Sequence, residues 1–355
     1  MEKLPNIFGC TTEELQELLV PYKVPKYRAK QIAEWMYQKG AHDFGAMTNL
    51  PKQLRAELSE HFAIHQPVCQ DRLDSADGKT SKFLLAFADG TAVESVLMRQ
   101  PYGNSICVST QAGCNMGCAF CASTVHGMAR DLTKGEMLAQ AIYINDMLRA
   151  EDGGKVDMMV LMGSGEPLMN YDNVIAFLHL IHEPYVLGMG YRNITLSTSG
   201  IVPNIYLLAD EGMPISLSVS LHAPNPELRS QLMPINRKYP LADVVAAAQH
   251  YAEKTGRRVT YEYILIDHMN DGEEQARELV QLLKGSLCSV NLIPINPVKE
   301  RNLLRPSKAR IDWFEHFLQQ HHVNVTVRRE MGTDIQAACG QLRNKHWQEK
   351  KQDKA

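Results

Sequence analysis

Apolar, strand-like runs alternate with helix-like stretches from about residue 106 to residue 328, and this alternation constrains the fold more than any other feature of the chain. The strand-like runs are 106–110, 156–162, 193–198, 214–221, 258–266, 288–293 and 324–328. The helix-like stretches are 134–150, 171–182, 201–210, 240–255, 272–284 and 308–320. Because about six such units are fewer than a closed eight-stranded barrel needs, we expect an α/β fold with a partial (βα)6 barrel and its chemistry at the carboxyl ends of the strands.

The residues before the barrel have two other patterns. A Thr-Thr-Glu-Glu run at 11–14 can begin a helix, and 27–37 repeats apolar residues at helical spacing. Short alternating segments follow, and the Asp89-Gly90 pair between two of them is typical of a β-hairpin turn. The expected parts are a small helical N-terminal domain at 1–66, a β-hairpin extension at 67–104, the barrel at 105–330, and a C-terminal segment at 331–355 with a disordered tail from Lys345.

The charge of the chain excludes a uniformly basic nucleic-acid binder. It has 37 Lys and Arg against 40 Asp and Glu, a net charge of −3, so any nucleic-acid partner must meet a local patch. Residues 23–39 and 299–310 each hold five basic residues and one acidic residue. Tyr27, Trp35 and Tyr37 interleave with the first segment, which is consistent with phosphate contact and base stacking or with plain solvated helix faces. Without an apolar leader or membrane span, we expect a cytoplasmic protein with no membrane partner.

Three of the eight cysteines form a compact motif. Cys114, Cys118 and Cys121 spell C-x3-C-x2-C directly after the strand-like run 106–110. Such clustering favours metal or thiol chemistry over a disulfide framework. Three thiolates on one loop can hold three irons of a four-iron cluster and leave the fourth iron open to a ligand. A zinc site completed by a remote residue such as His126 is the alternative.

Small and polar residues follow several of the predicted strands, where a polar cofactor in an apolar barrel mouth would need them. Gly165 would let the backbone approach a ligand, and Glu166 could accept a hydrogen bond from an ammonium group, although a plain turn is the alternative. Ser199 is expected to cap a helix. The other candidates at strand ends are Ser197, Ser220, Leu221, His222 and Asn296.

Two further cysteines lie outside the motif. Cys107, on the first barrel strand, taken alone is typical of a buried apolar thiol. Cys339 lies in an Ala-Ala-Cys-Gly run that allows close approach, and Arg328 and Arg329 nearby would favour its thiolate form. We assign Cys10, Cys69 and Cys288 to packing.

The motifs in their order along the chain resemble the RlmN/Cfr family of radical S-adenosylmethionine (SAM) RNA methyltransferases. The motifs are the cysteine loop 114–121, the Gly-rich loop 163–168, and the segments 220–224, 232–236 and 334–342. The match covers essentially the whole chain, with Ser164 where Met is more usual and Gln336 where Asp is more usual. The resemblance implies a partial barrel and one [4Fe-4S] cluster on Cys114, Cys118 and Cys121. It also implies that SAM is bound by Gly165, Glu166, Ser197, Ser220, Leu221, His222 and Asn296, with two molecules used per turnover.

The resemblance also implies roles for the remaining thiols. The family methylates C2 or C8 of an adenine, an electron-poor carbon that polar methyl transfer cannot reach. Cys339 would accept a methyl group from one SAM, and a radical from a second would abstract hydrogen from it, so that the resulting carbon radical adds to the base. Glu94 would accept the ring proton. Cys107 would then attack the Cys339 sulfur, form a transient disulfide and release the product, so the C-terminal segment should fold over the barrel mouth.

The implied substrates are 23S rRNA and the adenine 3′ to the anticodon in tRNA, methylated at C2, with an electron donor such as a flavodoxin-type reductant and a monomeric enzyme. The Glu166-Pro167-Leu168 form of the loop resembles the C2 group more than the C8 group, which confers ribosomal antibiotic resistance. A non-enzymatic, zinc-containing RNA-binding protein is an alternative from a different class. Another is a radical enzyme that activates a partner protein, which leaves Cys107 and Cys339 without a role.

Overall fold

The structure is a computed structural model that describes residues 4–298 and 300–342, so the tail expected from residue 345 lies outside the described residues. The helices are α1 (Thr12–Leu19), α2 (Tyr27–Tyr37), α3 (Lys52–His61), α4 (Lys134–Glu151), α5 (Tyr171–His182), α6 (Val202–Asp210), α7 (Pro226–Leu232), α8 (Leu241–Thr255), α9 (Glu273–Leu283) and α10 (Lys308–Gln320). The strands are β1 (Val68–Asp74), β2 (Thr80–Ala86), β3 (Ala92–Gln100), β4 (Gly103–Cys107), β5 (Gln111–Gly113), β6 (Met128–Asp131), β7 (Met158–Leu161), β8 (Ile194–Thr198), β9 (Ser216–Ser220), β10 (Val259–Leu265), β11 (Cys288–Pro294) and β12 (Val325–Val327).

One open sheet of ten strands organises the molecule, in the order β1-β2-β3-β4-β7-β8-β9-β10-β11-β12. From β4 to β12 neighbouring strands pair in parallel, with helices in the connections after β4. Parallel strands that are covered by helices on both faces have mostly apolar sequences. β10 is such a strand, because it is buried at every position but one. The expected α/β fold with a partial barrel is confirmed.

The extension before the barrel continues the same sheet. β2 and β3 form the antiparallel hairpin expected at Asp89-Gly90, where Gly90 has a φ of 81°. β3 then pairs antiparallel with β4, the first barrel strand. β1, which the sequence analysis did not predict, pairs with β2 at the edge and is mostly exposed, so its sequence lacks apolar alternation.

The N-terminal helices begin as their sequence predicts and pack on the start of α4. Thr11 caps α1 through a capping box with Glu14, and that carboxylate also pairs with Lys134. Gly9 has a φ of 100°, and a Cβ on it would lie 2.4 Å from the Gly135 Cα. The two backbones therefore approach more closely than side chains would allow.

Within the described ranges, none of the helices combines the length and apolar character that a membrane span requires.

The close approach of the two backbones predicts a specific loss of stability. A Cβ at Gly135 would lie 2.5 Å from the Phe8 carbonyl oxygen, so Gly135→Ala should lower the free energy of unfolding by about 1–3 kcal/mol. Thermal denaturation of the purified protein measures the effect. Gly190→Ala is the matched control, because a Cβ there lies 3.9 Å from its nearest neighbour. Equal melting temperatures for the two variants would contradict the prediction.

Candidate active site

Two adjoining cavities lie against the parallel part of the sheet. The cluster-loop cavity, of about 150 Å3, is lined by the loop 114–124 and by the carboxyl ends of β7 to β11. The thiol cavity, of about 400 Å3, is lined by β3, β4, β7 and the C-terminal segment, here residues 331–342. The residues that line both cavities are Met162, Ile293, Arg328 and Cys339. Cys339 therefore faces both spaces.

The three cysteines of the motif come together on the cluster-loop cavity as free thiols. Burial raises the pKa of Cys114 to about 12 and also raises the pKa of Cys118 and Cys121. Thiols in so dry a site stay protonated until a metal displaces the protons. Three thiols on one cavity wall fit an iron–sulfur cluster that leaves one iron open.

Glu166 is a buried carboxylate held in one orientation at the end of β7. It accepts hydrogen bonds from the Leu168 amide (3.0 Å), the Thr198 hydroxyl (2.8 Å) and the Ser199 amide (2.6 Å). Burial raises its pKa against the effect of these hydrogen bonds. As an oriented acceptor on the cluster-loop cavity, it suits a ligand ammonium group. The cap expected at Ser199 is wrong, because the N-cap of α6 is Ile201.

Gly165 and His222 shape the same cavity. Gly165 has a φ of 110°, and a Cβ on it would lie 2.6 Å from the Gln111 Cβ, so glycine is required there. His222 accepts the Ile264 amide at Nδ1 (3.0 Å), and burial lowers its pKa to about 3. The ring is therefore neutral, with its proton on Nε2. Ser197 and Ser220 line the cavity as well.

Two of the predicted cofactor residues lie elsewhere. Leu221 is fully buried in the main core, and its amide donates to the Glu262 carbonyl (3.0 Å). Its side chain does not line the cluster-loop cavity, because neighbouring residues of a strand end point in opposite directions. Asn296 lines the thiol cavity, where its amide donates to the Cys339 carbonyl (3.2 Å).

Cys107 and Cys339 both line the thiol cavity. Cys107 is buried on β4 and packs with Val96, Ala337 and Leu342. Burial, followed by the nearby Cys339, raises the pKa of Cys107 to about 12. Cys339 is exposed, and both thiols are free. The C-terminal segment therefore lies directly over the first barrel strand.

The Cys339 sulfur receives a hydrogen bond from the Arg328 guanidinium (3.1 Å). Arg328 also lies 3.8 Å from Glu262, a buried carboxylate on β10 that accepts a hydrogen bond from Asn291 (2.8 Å). The sequence points to Arg328 as a neighbour of Cys339, but it predicts no role for Glu262. The sequence feature that could have indicated Glu262 is a charged residue between two tyrosines in a mostly apolar strand.

Arg229 is a second residue that the sequence analysis missed. It is fully buried, and it donates to the carbonyls of Ser199 (2.8 Å) and Ser220 (3.1 Å) and to Asn236 Oδ1 (2.9 Å). Burial lowers its pKa to about 10. The guanidinium therefore joins the carboxyl ends of β8 and β9, where Ser199 and Ser220 line the cluster-loop cavity.

Glu94, the predicted proton acceptor, lies on β3 and lines neither of the two cavities. Its carboxylate is buried and pairs with Lys82 Nζ at 3.0 Å. The strand register places Glu94 two residues from Val96, which lies opposite Cys107. The carboxylate is therefore on the same face of the sheet as the Cys107 thiol.

The two basic segments differ in how their charges are paired. Three basic residues of the second segment face acidic partners: Arg305 pairs with Glu330, Lys308 with Asp312 and Arg310 with Asp271. Lys299 lies outside the described residues. In the first segment, the exposed basic side chains are Lys23, Lys26, Lys30 and Lys39.

The aromatic residues of the first segment also differ. Tyr27 is 59% exposed. Tyr37 is buried, and its hydroxyl donates to the Cys10 carbonyl (2.7 Å). The expected stacking role of Tyr37 is therefore wrong, because its ring is part of the core.

Comparison with known proteins identifies the family. The Radical SAM superfamily model matches residues 108–280, and the model of the ribosomal RNA large subunit methyltransferase N-terminal domain matches residues 5–64. The probable dual-specificity RNA methyltransferase RlmN of Symbiobacterium thermophilum is 53% identical over 95% of this chain and 91% of its own length. The chain belongs to the RlmN family. The relative of the same name from Geobacillus kaustophilus is 50% identical over 98% of this chain and 94% of its own length.

A solved structure agrees with this assignment. The radical SAM methyltransferase from Sphaerobacter thermophilus superposes with a TM-score of 0.92 at 45% identity, over 95% of this chain and 99% of that one. This RlmN-family protein is a SAM-dependent RNA methyltransferase, and its family implies a [4Fe-4S] cluster and RNA as substrate. The alternatives of a non-enzymatic zinc protein and of a partner-activating radical enzyme are therefore wrong.

The environments of the two thiols predict different reactivity. In cluster-loaded protein, iodoacetamide should alkylate Cys339 at least about tenfold faster than Cys107, because Cys339 is exposed and hydrogen-bonded to a cation while Cys107 is buried and its pKa is raised. Peptide mass spectrometry measures both rates.

Arg328→Gln should slow the Cys339 reaction, because it removes the hydrogen bond to the sulfur. Arg329→Gln is the matched control, since Arg329 lines the same cavity. Equal alkylation of Cys107 and Cys339 would contradict the assignment of the two environments.

Proposed function

We propose that this RlmN-family enzyme methylates C2 of a specific adenine in 23S rRNA and of the adenine 3′ to the anticodon in tRNAs. The curated relatives are named dual-specificity RNA methyltransferases, and Glu166-Pro167-Leu168 resembles the C2 form of the loop. The observation that carries the proposal is the position of Cys339, which faces both the cluster-loop cavity and the thiol cavity. One sulfur can therefore meet a cofactor on one side and a base on the other.

The cluster-loop cavity would hold the cofactors. Cys114, Cys118 and Cys121 would bind the cluster, and the Glu166 carboxylate would accept hydrogen bonds from the SAM ammonium group. The other proposed contacts to SAM are from Gly165, Ser197, Ser220, Leu221, His222 and Asn296, with Leu221 acting through its backbone. When bound, SAM and the cluster supply a methyl group and a hydrogen-abstracting radical, two SAM molecules being used per turnover.

Cys339 would carry the methyl group from one cavity to the other. Its sulfur, with Arg328 donating to it, forms a bond to the methyl carbon as the bond from that carbon to the donor sulfonium breaks. After loss of one hydrogen atom, the same carbon bonds to C2 of the adenine. The base would occupy the thiol cavity, whose volume of about 400 Å3 lies beside both thiols.

Glu94 and Cys107 would complete the reaction. Once the adduct has given up one electron, which the bound cluster would accept, its C2 proton would pass to Glu94, which lies outside the thiol cavity and two residues along β3 from the lining residue Val96. Cys107 then attacks the Cys339 sulfur, so that an S–S bond forms and the bond from sulfur to the methylene carbon breaks. That carbon takes up a proton and leaves as the methyl group of the product. External reductant must return the disulfide to two thiols.

The partners are part of the same proposal. Exposed Lys26, just before α2, and Lys30, on α2, would contact RNA phosphates, with Tyr27 beside them. We propose a monomeric enzyme that acts on RNA in the cytoplasm and takes electrons from a flavodoxin-type donor.

The position of methylation can be measured directly. RNA from cells that lack their own adenine-C2 methyltransferase and express this chain should contain 2-methyladenosine in both 23S rRNA and tRNA, by nucleoside mass spectrometry. Cells expressing Cys339→Ala are the control and should contain none. Finding 8-methyladenosine would overturn the C2 assignment in favour of C8 chemistry.

Variants that lack Cys339 or Cys107 should be blocked at different steps of the reaction. Cys339→Ala should lower the rate of methyl transfer to RNA by more than about 1000-fold, because no sulfur remains to carry the methyl group. Cys107→Ala should accumulate a covalent protein–RNA adduct that denaturing gels detect. Cys288→Ala is the matched control, because Cys288 begins β11 at the end of the strand away from the site. A Cys107→Ala protein that turns over without adduct would contradict the proposed release step.

A further inference from the structure

Lys82 is a buried lysine whose ammonium joins two parts of the proposed machinery. Its side chain is 5% exposed, its Nζ lies 3.0 Å from the Glu94 carboxylate, and it donates to the Gln336 carbonyl at 3.2 Å. We propose that Lys82 is a positioning residue that holds the carboxylate of the proton acceptor Glu94 in place relative to the Cys339 sulfur. This inference rests on the roles proposed above for Glu94 and Cys339.

The strand register places Lys82 on the face of the sheet that carries the chemistry. Lys82 on β2 lies opposite Val96 on β3, and Val96 lies opposite Cys107 on β4. Directly opposed residues of antiparallel strands project to the same face, so the three side chains form one row. Glu94 is two residues from Val96 on the same strand, which makes it the diagonal neighbour of Lys82.

The C-terminal segment lies over this row. Ala337 and Leu342 pack against Val96 and Cys107. Gln336, one residue before Ala337, has a φ of 53°, and its carbonyl receives the Lys82 ammonium. The lysine therefore contacts the segment three residues before Cys339.

A second contact joins the extension to the same segment. In the turn between β1 and β2, the Ala76 amide donates to the Asp334 carboxylate (2.9 Å). A Cβ on Gly332 would lie 2.7 Å from Thr80 Cγ2, so the segment and the start of β2 are in close contact. The extension thus binds the C-terminal segment at its turn and at Lys82, and this gives the extension a part in the reaction.

The charge of Lys82 has a chemical consequence. The ion pair fixes the position of the Glu94 carboxylate, and a base must lie within hydrogen-bond reach of the proton that it removes. Desolvating a lysine and a glutamate together costs free energy that a pair of apolar residues would not. The pair therefore suits a buried site that needs a carboxylate held in one position.

The test separates methylation of Cys339 from resolution of the RNA adduct, since only the second step uses Glu94. In Lys82→Gln, S-methylation of Cys339, measured by intact-protein mass, should stay within about twofold of wild type, because that step needs no base. Formation of methylated adenine in a single turnover should fall about 10- to 100-fold, with covalent RNA adduct accumulating. Lys82→Arg should restore part of the rate. Lys79→Gln, at a lysine 64% exposed in the neighbouring turn, is the matched control.

A double-mutant cycle with Glu94→Gln decides whether Lys82 acts through Glu94. If it does, Lys82→Gln/Glu94→Gln is no slower than Glu94→Gln alone. Multiplied losses, or an equal loss of Cys339 S-methylation and product formation in Lys82→Gln, would overturn the inference. Lys82→Met/Glu94→Gln leaves no unpaired buried charge and provides the same comparison if Lys82→Gln does not fold. A Glu94→Gln protein with wild-type rate would instead refute the proposed role of Glu94.

Discussion

Parallel pairing is the constraint on which the rest of the structure depends, because it brings the carboxyl ends of successive strands to one edge. Loops that are far apart in sequence, after β7, β8 and β9, thereby line a single cavity together with β10 and the cysteine loop. Buried polar side chains then hold the strand ends together: Glu166 binds the end of β8, and Arg229 joins β8 to β9. The positions of the ligand-binding residues are therefore set by the paired strands that carry them.

The five cysteines at the two cavities lie in three different environments. Among the motif cysteines, Cys114 and Cys118 are buried and Cys121 is half-buried, and the pKa of each thiol is raised. Cys107 is buried in an apolar cluster, and Cys339 is exposed beside a cation. The motif cysteines line one cavity, Cys107 lines the other, and Cys339 lines both. This arrangement suits the proposed reaction, in which the Cys339 sulfur reacts first with a cofactor and then with a base. The C-terminal segment supplies that sulfur, and the antiparallel extension supports the segment.

Much of this was accessible from the sequence, because the relevant signals are local. Helix α2 has the predicted bounds, the hairpin turn lies at the predicted residues, and the barrel strands from β7 onward overlap the predicted runs. The first barrel strand, predicted at 106–110, instead lies at Gly103–Cys107. Other features could not be predicted correctly from the sequence. Base stacking or a solvated helix face are the alternatives that the sequence leaves open for Tyr37, but its hydroxyl donates to the Cys10 carbonyl and its ring lies in the core. The exposed edge strand β1 has no apolar alternation to reveal it.

The sequence by itself determined the βα order, the cysteine loop and the polar strand ends, since each of these is written in residues close together along the chain. Only the tertiary structure decided which of those ends meet, that Leu221 turns into the core, and that Cys339 stands between two cavities. It alone also decided that Lys82 reaches both Glu94 and Gln336. The physical reason is that these contacts join residues remote in sequence, and their geometry follows from strand register and packing.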